Sequence, residues 1–391
     1  MLYTPENYES LCETRWSENS ARKRIQAVVA ATDAAFDVAA LWPSDDQDVG
    51  SGTPPLESLY AGAAGIVWAL DRLRPHAATR LDLVGAAQRA LEAWREQPDY
   101  PERLDEPPQR SHASLFFGET GPLYIAWLST AGAALADDLY RRVRENAHAP
   151  PNELMWASVG TMRVAKRMLE RTGDERWADA WRESAEVLLE RRDEEGLWPT
   201  MPFGRGLGAA HGASTTSHLL LQGGDLLPAG HRDELARATA SALARYAVVE
   251  DGFANWPMVS GDELVGYDGQ IRMQWCHGAP GVVASAAVYL DEEILLAGAE
   301  LCWQAGPANL DKGPGLCHGT AGTGYAFLKV FERTDDELWL ERARRFAMHA
   351  LEQVERLGPP RHSLFTGAIG AALLAADCLD VRPEFPIVDA L

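Results

Sequence analysis

Trp275-Cys276-His277-Gly278-Ala279-Pro280-Gly281 and Leu316-Cys317-His318-Gly319-Thr320-Ala321-Gly322 are two versions of one frame, in which a Cys-His pair directly precedes Gly-x-x-Gly. The two cysteines are 41 positions apart. Cysteine and histidine are common zinc ligands, and a set of two cysteines and one histidine leaves a fourth position open. A single buried thiol is more often a packing residue. Two Cys-His pairs in matched frames favour a metal site.

The same glycine frame recurs along the whole chain. Its first glycine stands at positions 62, 118, 212, 278, 319 and 367, and Ala157 takes that place in a further copy, which makes seven. The intervals between copies range from 39 to 66 residues. Such irregular spacing indicates loops of variable length on a fixed structural unit.

Each unit contains the pattern of two helices. An almost wholly apolar stretch follows the glycines, as at residues 282–290 and 324–330, and a helix that is apolar all round is buried. An amphipathic segment with acidic residues in its first turn comes next, as at residues 172–177 and 334–339. We therefore predict an all-α fold, an α/α toroid with a double ring of seven inner and seven outer helices.

The toroid is expected to form one domain over residues 1–391. Residues 1–50 are predicted to be a helical segment packed on the ring, with the first outer helix at about residues 21–42. Glycines at the starts of the inner helices let the backbones approach closely at one end. The residues that precede each Gly-x-x-Gly should then line a central mouth.

Composition narrows the possible partners. The chain of 391 residues has 36 Lys+Arg against 57 Asp+Glu, a net charge of −21, which argues against a nucleic-acid partner. No apolar run approaches the roughly 20 residues of a membrane span, and the first residues do not form a signal peptide. With five cysteines, an odd number, we expect a reduced cytoplasmic protein that has no membrane partner.

These motifs resemble the lanthionine synthetase C-like (LanC-like) family. The resemblance is carried by residues 207–212, 275–281 and 315–328, with weaker matches at 118–123 and 363–367, and covers about residues 56–378. The residues of these motifs are more similar to those of stand-alone eukaryotic-type members than to those of dedicated lantibiotic cyclases. The resemblance implies a double α-toroid whose Zn²⁺ ion would be held by Cys276, Cys317 and His318.

The family resemblance also implies a reaction. Its members join a thiol to dehydroalanine or dehydrobutyrine and so form a thioether of the lanthionine type. Here the expected thiol is glutathione or a peptide cysteine, and the expected partner is a peptide or protein that contains dehydroamino acids. Ser114 stands where dedicated cyclases have an aspartate, which speaks against peptide cyclisation.

Three further residues are candidates for catalysis. His211 and His277 occupy the same repeat position as His318, and an imidazole suits proton transfer near pH 7. The resemblance favours His211 as the proton donor. Arg272 matches a family arginine near the site and could hydrogen-bond an enolate or a substrate carboxylate.

Three residues are candidates for substrate binding, each with a plainer alternative. Trp275 could form the pocket wall or pack beneath the metal loop. Glu119 could bind an amine or serve as an acid in the first turn of a helix. Arg205 is a weaker candidate for contact with the substrate.

Other functions remain possible at this point. The main alternative is a non-enzymatic, zinc-containing protein that binds a small molecule or a peptide. Toroidal glycosidases need paired carboxylates across the mouth, whereas the glycine frames offer mainly Cys and His. Prenyltransferase β-subunits activate a thiol on zinc, but they share only the architecture and normally need a partner subunit.

Overall fold

The computed structural model describes residues 1–50, 52–100, 112–200, 204–261, 270–358 and 361–391. The α-helices in these ranges are α1 (Glu18–Ala34), α2 (Asp46–Val49), α3 (Ala63–Leu73), α4 (Leu83–Glu96), α5 (Thr120–Thr130), α6 (Ala133–Asn146), α7 (Ser158–Thr172), α8 (Arg176–Arg191), α9 (Ala213–Leu221), α10 (Ala229–Tyr246), α11 (Ala279–Ala286), α12 (Glu292–Ala305), α13 (Thr320–Thr334), α14 (Glu337–Leu357) and α15 (Ala368–Asp380). Short 3₁₀ turns lie at Pro5–Asn7 and Gly224–Leu226, and a hairpin is formed by β1 (Val248–Glu250) and β2 (Phe253–Asn255).

Seven of the helices begin just after the seven glycine frames and form the inner ring: α3, α5, α7, α9, α11, α13 and α15. They are buried on nearly every side, and α11 has no exposed residue at all. The ring closes because the last inner helix, α15, packs on the first, α3. The predicted all-α toroid is therefore confirmed, with its apolar inner helices where the sequence pattern places them.

The outer ring alternates with the inner one and comprises α1, α4, α6, α8, α10, α12 and α14. These helices bury one face only. Several begin at an aspartate whose side chain accepts hydrogen bonds from free backbone N–H groups, namely Asp82 before α4, Asp291 before α12 and Asp336 before α14. Such caps satisfy donors that the first turn of a helix leaves without partners.

The second glycine, present in six of the seven frames, is a point of close contact, whereas Thr215 takes this position in the frame at Gly212. A Cβ on Gly65 would lie 2.2 Å from the carbonyl oxygen of Leu59 in its own frame and 3.0 Å from the Cβ of Leu364, which belongs to the preceding frame around the ring. Gly322 is enclosed in the same way by Leu316 and Trp275. A side chain at these glycines would clash with the turn of its own frame and press on the neighbouring frame.

A belt of backbone hydrogen bonds joins the residues that stand two positions before the first glycine of successive frames. The N–H of Tyr60 donates to the carbonyl of Phe116 (3.1 Å) and that of Phe365 to Tyr60 (3.3 Å), while Cys317 donates to Phe365 (2.8 Å). Cys276 then donates to Cys317 (3.3 Å). Ala210 continues the belt by donating to Cys276 (3.3 Å). Equivalent residues of six frames are thereby held side by side around the mouth.

The N-terminal segment departs from the prediction in part. Helix α1 packs against α14 and α15 as an outer helix, but it ends at Ala34 and does not reach residue 42. The chain turns there because Oδ1 of Asp37 accepts hydrogen bonds from the N–H groups of Ala39 and Ala40 (both 2.8 Å). This side-chain turn is the reason that α1 is shorter than the sequence predicts.

Beyond that turn, residues 45–50 return to the mouth. Tyr100 donates a hydrogen bond from its hydroxyl to the carbonyl of Asp48 (2.8 Å), and Arg361 pairs with Asp45 (2.9 Å). Asp48, Val49 and Gly50 at the end of this stretch therefore line the mouth, while α1 packs outside the ring. Within the described ranges, no helix is both long enough and apolar enough to cross a bilayer.

The inner ring is filled deeper down by the segment around Asp389. This buried carboxylate accepts hydrogen bonds from His218 of α9 (2.6 Å) and Gln222 (2.8 Å), and it pairs with Lys329 of α13 (3.0 Å). The attraction of His218 and Lys329 outweighs burial and lowers the pKa of Asp389. These contacts lie part-way along the inner helices, away from the glycine frames that form the mouth.

A substitution at Gly65 tests the close packing of the frames. We expect Gly65→Ala to lower the free energy of unfolding by at least about 2 kcal/mol, because the added methyl group meets backbone that cannot move aside. Gly230→Ala, in α10 with no atom within 4 Å of the new Cβ, is the matched control and should be neutral or slightly stabilising. Urea denaturation measures both, and equal effects of the two substitutions would show that the close-packing account is wrong.

Candidate active site and metal centre

Cys276, Cys317 and His318 lie together at the mouth. Their ligand atoms all lie within 4.8 Å of one another, and both cysteines are buried. The belt sets this arrangement, because it holds Cys276 directly beside Cys317. Two soft thiolates and an imidazole in one cluster fit a zinc-type ion in a tetrahedral site with one further position. The chemistry of the three donors is thus suited to a metal.

Polar neighbours orient and activate the thiols. The Nζ of Lys312 donates to Oε1 of Gln274 (3.2 Å), and Nε2 of Gln274 donates to Sγ of Cys276 (3.0 Å). Burial opposes ionisation of both thiols, yet hydrogen bonding from Cys317 and the charge of His318 lower the pKa of Cys276 below its usual range. Ionisation of Cys276 is thus favoured, whereas burial and the neighbouring Cys276 raise the pKa of Cys317, so that a bound cation would be needed to favour its thiolate.

His211 is backed by a buried carboxylate. Its Nδ1 lies 2.6 Å from Oε2 of Glu153. The same carboxylate accepts hydrogen bonds from the N–H groups of Met155 (2.9 Å) and Trp156 (2.7 Å), which fix its position. A carboxylate on one ring nitrogen sets the tautomer and orientation of the imidazole and stabilises its protonated form.

His277 lies next to His211, with their ring centroids 5.7 Å apart and the planes inclined by 25°. Burial, which disfavours the charged imidazolium, lowers the pKa of His277 to about 4. After burial, the groups that shift this pKa most are Cys276 and His211, whereas His211 itself has the carboxylate of Glu153 on its ring. His277 is accordingly a neutral ring at pH 7.

A cavity of about 420 Å³ opens above these residues. The two cysteines and the three histidines line it together with several aromatic rings. We call this the aromatic chamber, and its other lining residues include Asp48, Tyr60, Tyr100, Phe117 and Trp156. The residues directly before the glycines thus line the mouth, as the sequence predicted.

A second cavity of about 380 Å³ adjoins the first, since Arg272, His318 and Thr366 line both. It also contains Lys312 and Arg361, and we call it the basic chamber. Its lining has these three cationic side chains against one carboxylate, Asp311, an excess of positive charge in a chain whose net charge is −21. An anionic group fits this side of the site.

The structure brings together the predicted ligands, His211, His277 and Arg272, but it places the three substrate-binding candidates elsewhere. Trp275 is 1% exposed and stacks on Phe385 at 4.6 Å, beneath the metal loop. Glu119 is also buried and is held between the outer helices by Arg95 (2.6 Å) and Arg142.

Arg205 belongs to an ion-pair cluster outside the chambers. Its guanidinium pairs with Asp193 (3.0 Å) and Glu195 and lies over the ring of Tyr246. Trp275 thus packs in the interior, which was its plainer alternative. Glu119 stands at the start of α5, but its carboxylate makes no capping hydrogen bond and pairs with the two arginines, which the sequence did not predict. The contacts of Arg205 are likewise those of a structural residue.

The family of this chain follows from comparison with known proteins. The family model described as "Lanthionine synthetase C-like protein" matches residues 55–388, which is most of the sequence. The chain belongs to the LanC-like family. The match covers all seven glycine frames, including those that carry the metal cluster.

Known relatives agree with this assignment. The chain is 31% identical to "Glutathione S-transferase LANCL1" of Danio rerio over 224 residues, and 34% identical to "LanC-like protein GCL1" of Arabidopsis thaliana over 130 residues. These matches cover 53% and 29% of this LanC-like protein, and 52% and 29% of the two relatives. The chain thus spans about half the length, or less, of the curated relatives that it matches.

A solved structure shares the fold. Nisin cyclase superposes with a TM-score of 0.59 over 92% of this LanC-like protein and 94% of that chain, at 14% identity. At this level of identity the likeness concerns the toroidal fold alone.

Four polar residues of the site were missed in the sequence: Asp48, Glu153, Gln274 and Lys312. Two of them had a signal, because Glu153 and Gln274 each stand four positions before the first position of a frame. Of the other five frames, three have a serine at this position and two have a glycine, and Ser114 accepts a hydrogen bond within the turn from the N–H of Phe117 (3.2 Å). Longer side chains at this position reach His211 and Cys276.

Metal analysis tests the cluster directly. We expect the purified LanC-like protein to hold about one metal ion per chain, and Cys317→Ala to lose it, because two ligands bind such an ion far more weakly than three. Cys12→Ser removes a half-buried thiol outside the cluster and should keep the metal. Elemental mass spectrometry gives the content, and full occupancy in Cys317→Ala would exclude Cys317 as a ligand.

Proposed function

We propose that the protein is a zinc-dependent enzyme that adds a thiol, glutathione or a peptide cysteine, to dehydroalanine or dehydrobutyrine residues and forms a thioether. One observation carries the proposal: the Cys276, Cys317 and His318 cluster shares a cavity with His211, which is backed by a carboxylate. Names of relatives support it, since one is called a glutathione S-transferase and a structural neighbour a cyclase.

The reaction balances without an oxidant or a reductant. A new bond forms between the thiol sulfur and the β-carbon of the dehydroamino acid, while the C=C π bond breaks. The electron pair moves to the carbonyl oxygen as an enolate, the thiol loses its proton, and a proton reaches the α-carbon. When bound, zinc lowers the pKa of a coordinated thiol and so supplies a nucleophile at neutral pH.

His211 is suited to deliver the proton to the α-carbon. Its ring lies in the aromatic chamber, and Glu153 holds it in one orientation and stabilises its charged form. Arg272 lines both chambers and can hydrogen-bond the enolate oxygen or a carboxylate of the substrate. His277, the other predicted catalytic residue, is placed to shape the pocket beside His211.

The basic chamber supports glutathione as the thiol. Glutathione carries two carboxylates, and Lys312, Arg361 and Arg272 offer them cationic partners on the border of the metal cluster. Arg361 is also paired with Asp45 (2.9 Å), so its guanidinium is held in place. A fixed cation loses less freedom when it binds an anion.

Turnover is the first test. A dehydroalanine peptide incubated with the metal-loaded protein and glutathione should gain the mass of glutathione. We expect His211→Asn to lower kcat/KM by about 10²–10⁴-fold while keeping the metal, because general acid catalysis is lost. His148→Asn, at an exposed histidine, should leave both unchanged.

Mass spectrometry of the adduct separates the proposal from its alternative. Metal without any adduct from either thiol, together with saturable binding of the peptide, would favour the non-enzymatic binding protein. Adduct formation that persists at full rate after the metal is removed would contradict a role for zinc.

The charge at Lys312 tests the identity of the thiol. Lys312→Gln keeps a hydrogen-bond donor near Gln274 but removes a positive charge, so we expect KM for glutathione to rise about tenfold, the effect of losing one charged contact. KM for the uncharged thiol 2-mercaptoethanol should change little. Lys23→Gln, at an exposed lysine on α1, is the matched control. An equal rise for both thiols would argue against recognition of an anion.

A further inference from the structure

We propose that the aromatic chamber binds a cationic side chain, lysine or arginine, next to the dehydroamino acid of the substrate, and that Asp48 determines this preference. The inference rests on the proposed function, because it names the electrophile on which that reaction acts. It concerns the side of the site away from the basic chamber.

The position of the proton donor decides which chamber takes the electrophile. His211 and His277 line the aromatic chamber, whereas Lys312 and Arg361 line the basic chamber. The α-carbon that receives a proton must lie within reach of His211. The residues that flank the dehydroamino acid therefore contact the walls of the aromatic chamber, and the anionic thiol approaches from the other side.

Those walls are a continuous set of aromatic rings. Phe117 stacks on Trp156 at 4.3 Å and contacts the rings of Tyr60 at 4.9 Å and Tyr100 at 5.8 Å. Aromatic faces attract ammonium and guanidinium groups, and more strongly where water is excluded. They would equally accept an apolar side chain, so the rings alone do not determine the charge of the ligand.

The negative charge of Asp48 favours a cationic side chain over an apolar one. Its two carboxylate oxygens accept hydrogen bonds from the hydroxyls of Thr366 (2.6 Å) and Ser363 (2.8 Å), which hold it at the chamber wall. Among the residues that the structure describes, no cation forms an ion pair with Asp48, since Arg361 pairs with Asp45 and acts on Asp48 only through its nearby charge. A carboxylate that is held by hydroxyls and lines the same cavity as several aromatic rings is suited to bind a cation.

The environment of this carboxylate leaves room for a further cation. Burial raises the pKa of Asp48 and the charge of Asp45 adds to this, while the hydrogen bonds from Thr366 and Ser363 and the charge of Arg361 offset it only in part. A bound lysine or arginine would favour its ionised form. In a chain of net charge −21, a basic peptide would also be attracted to the mouth before it docks.

Peptides that differ at one position test the proposal. Dehydroalanine peptides with arginine, norleucine or glutamate on either side of the dehydroalanine are compared by kcat/KM at saturating glutathione. The wild type should prefer arginine over norleucine by about tenfold, the usual scale of a partly buried cation contact. Asp48→Asn keeps the hydrogen-bonding shape and should abolish the preference.

Asp46→Asn is the matched control. It removes the same charge from the same short helix, but at an exposed aspartate. Asp46→Asn should retain the preference for arginine over norleucine. Raised salt should not remove this preference in the wild type. Equal kcat/KM for arginine and norleucine peptides in the wild type would overturn the proposal, as would an undiminished preference in Asp48→Asn. Neither result would contradict the proposed thiol-addition reaction.

Failure of the thiol-addition reaction would give a different result, because no peptide would then form an adduct. Fluorescence anisotropy of the same peptides, labelled, would still measure their binding to the wild type and to Asp48→Asn. Tighter binding of the arginine peptide that Asp48→Asn removes would support the cation site without turnover. Equal binding of all peptides would reject it.

Discussion

The belt of backbone hydrogen bonds around the mouth is the contact on which the site depends. It joins equivalent residues of successive frames, so that Cys276 and Cys317, 41 positions apart in the chain, become neighbours. Because backbone groups make these bonds, the side chains remain available for chemistry. The belt forms only if the inner helices converge, and Gly281 and Gly322 permit this by meeting neighbouring backbone where any Cβ would clash. Gly278 adds a φ of 102° that other residues rarely adopt.

Repetition also explains where two supporting residues of the site lie. The position four before the first position of a frame can stabilise its turn, as Ser58 and Ser114 do by accepting a hydrogen bond from an N–H three residues on. Glu153 does the same and also orients His211. Gln274 occupies the same position and donates to Cys276. One position of the repeat thus stabilises the turn in some frames and, where its side chain is longer, supports residues of the site.

These features show what a single sequence could and could not predict. The glycine frames determine the inner helices and place the residues before them at the mouth, so the toroid and the grouping of Cys276, Cys317 and His318 were predictable. Glu119 was harder to place, because a helix-start acid can point inward or between outer helices, and its partners Arg95 and Arg142 carry no motif. Asp48 lies outside the repeat altogether. Its place in the cavity depends on the turn after α1, which follows from one side chain, Asp37.

The division of the mouth into two chambers has a chemical reason in an addition reaction. Two reactants must approach one carbon–carbon bond from different sides, one as a nucleophile and one as an electrophile, and each side needs its own recognition. Lys312 and Arg361 gather positive charge on one side of His318, while Asp48 and the aromatic rings leave the other side able to take a cation. Opposite charges on the two walls disfavour binding of either reactant in the wrong chamber. Like-charge contact costs energy, so the same side chains that attract one partner exclude the other. An overall acidic protein can therefore hold an anionic thiol at its centre, because Lys312 and Arg361 line the basic chamber and Arg272 lies where the two chambers adjoin.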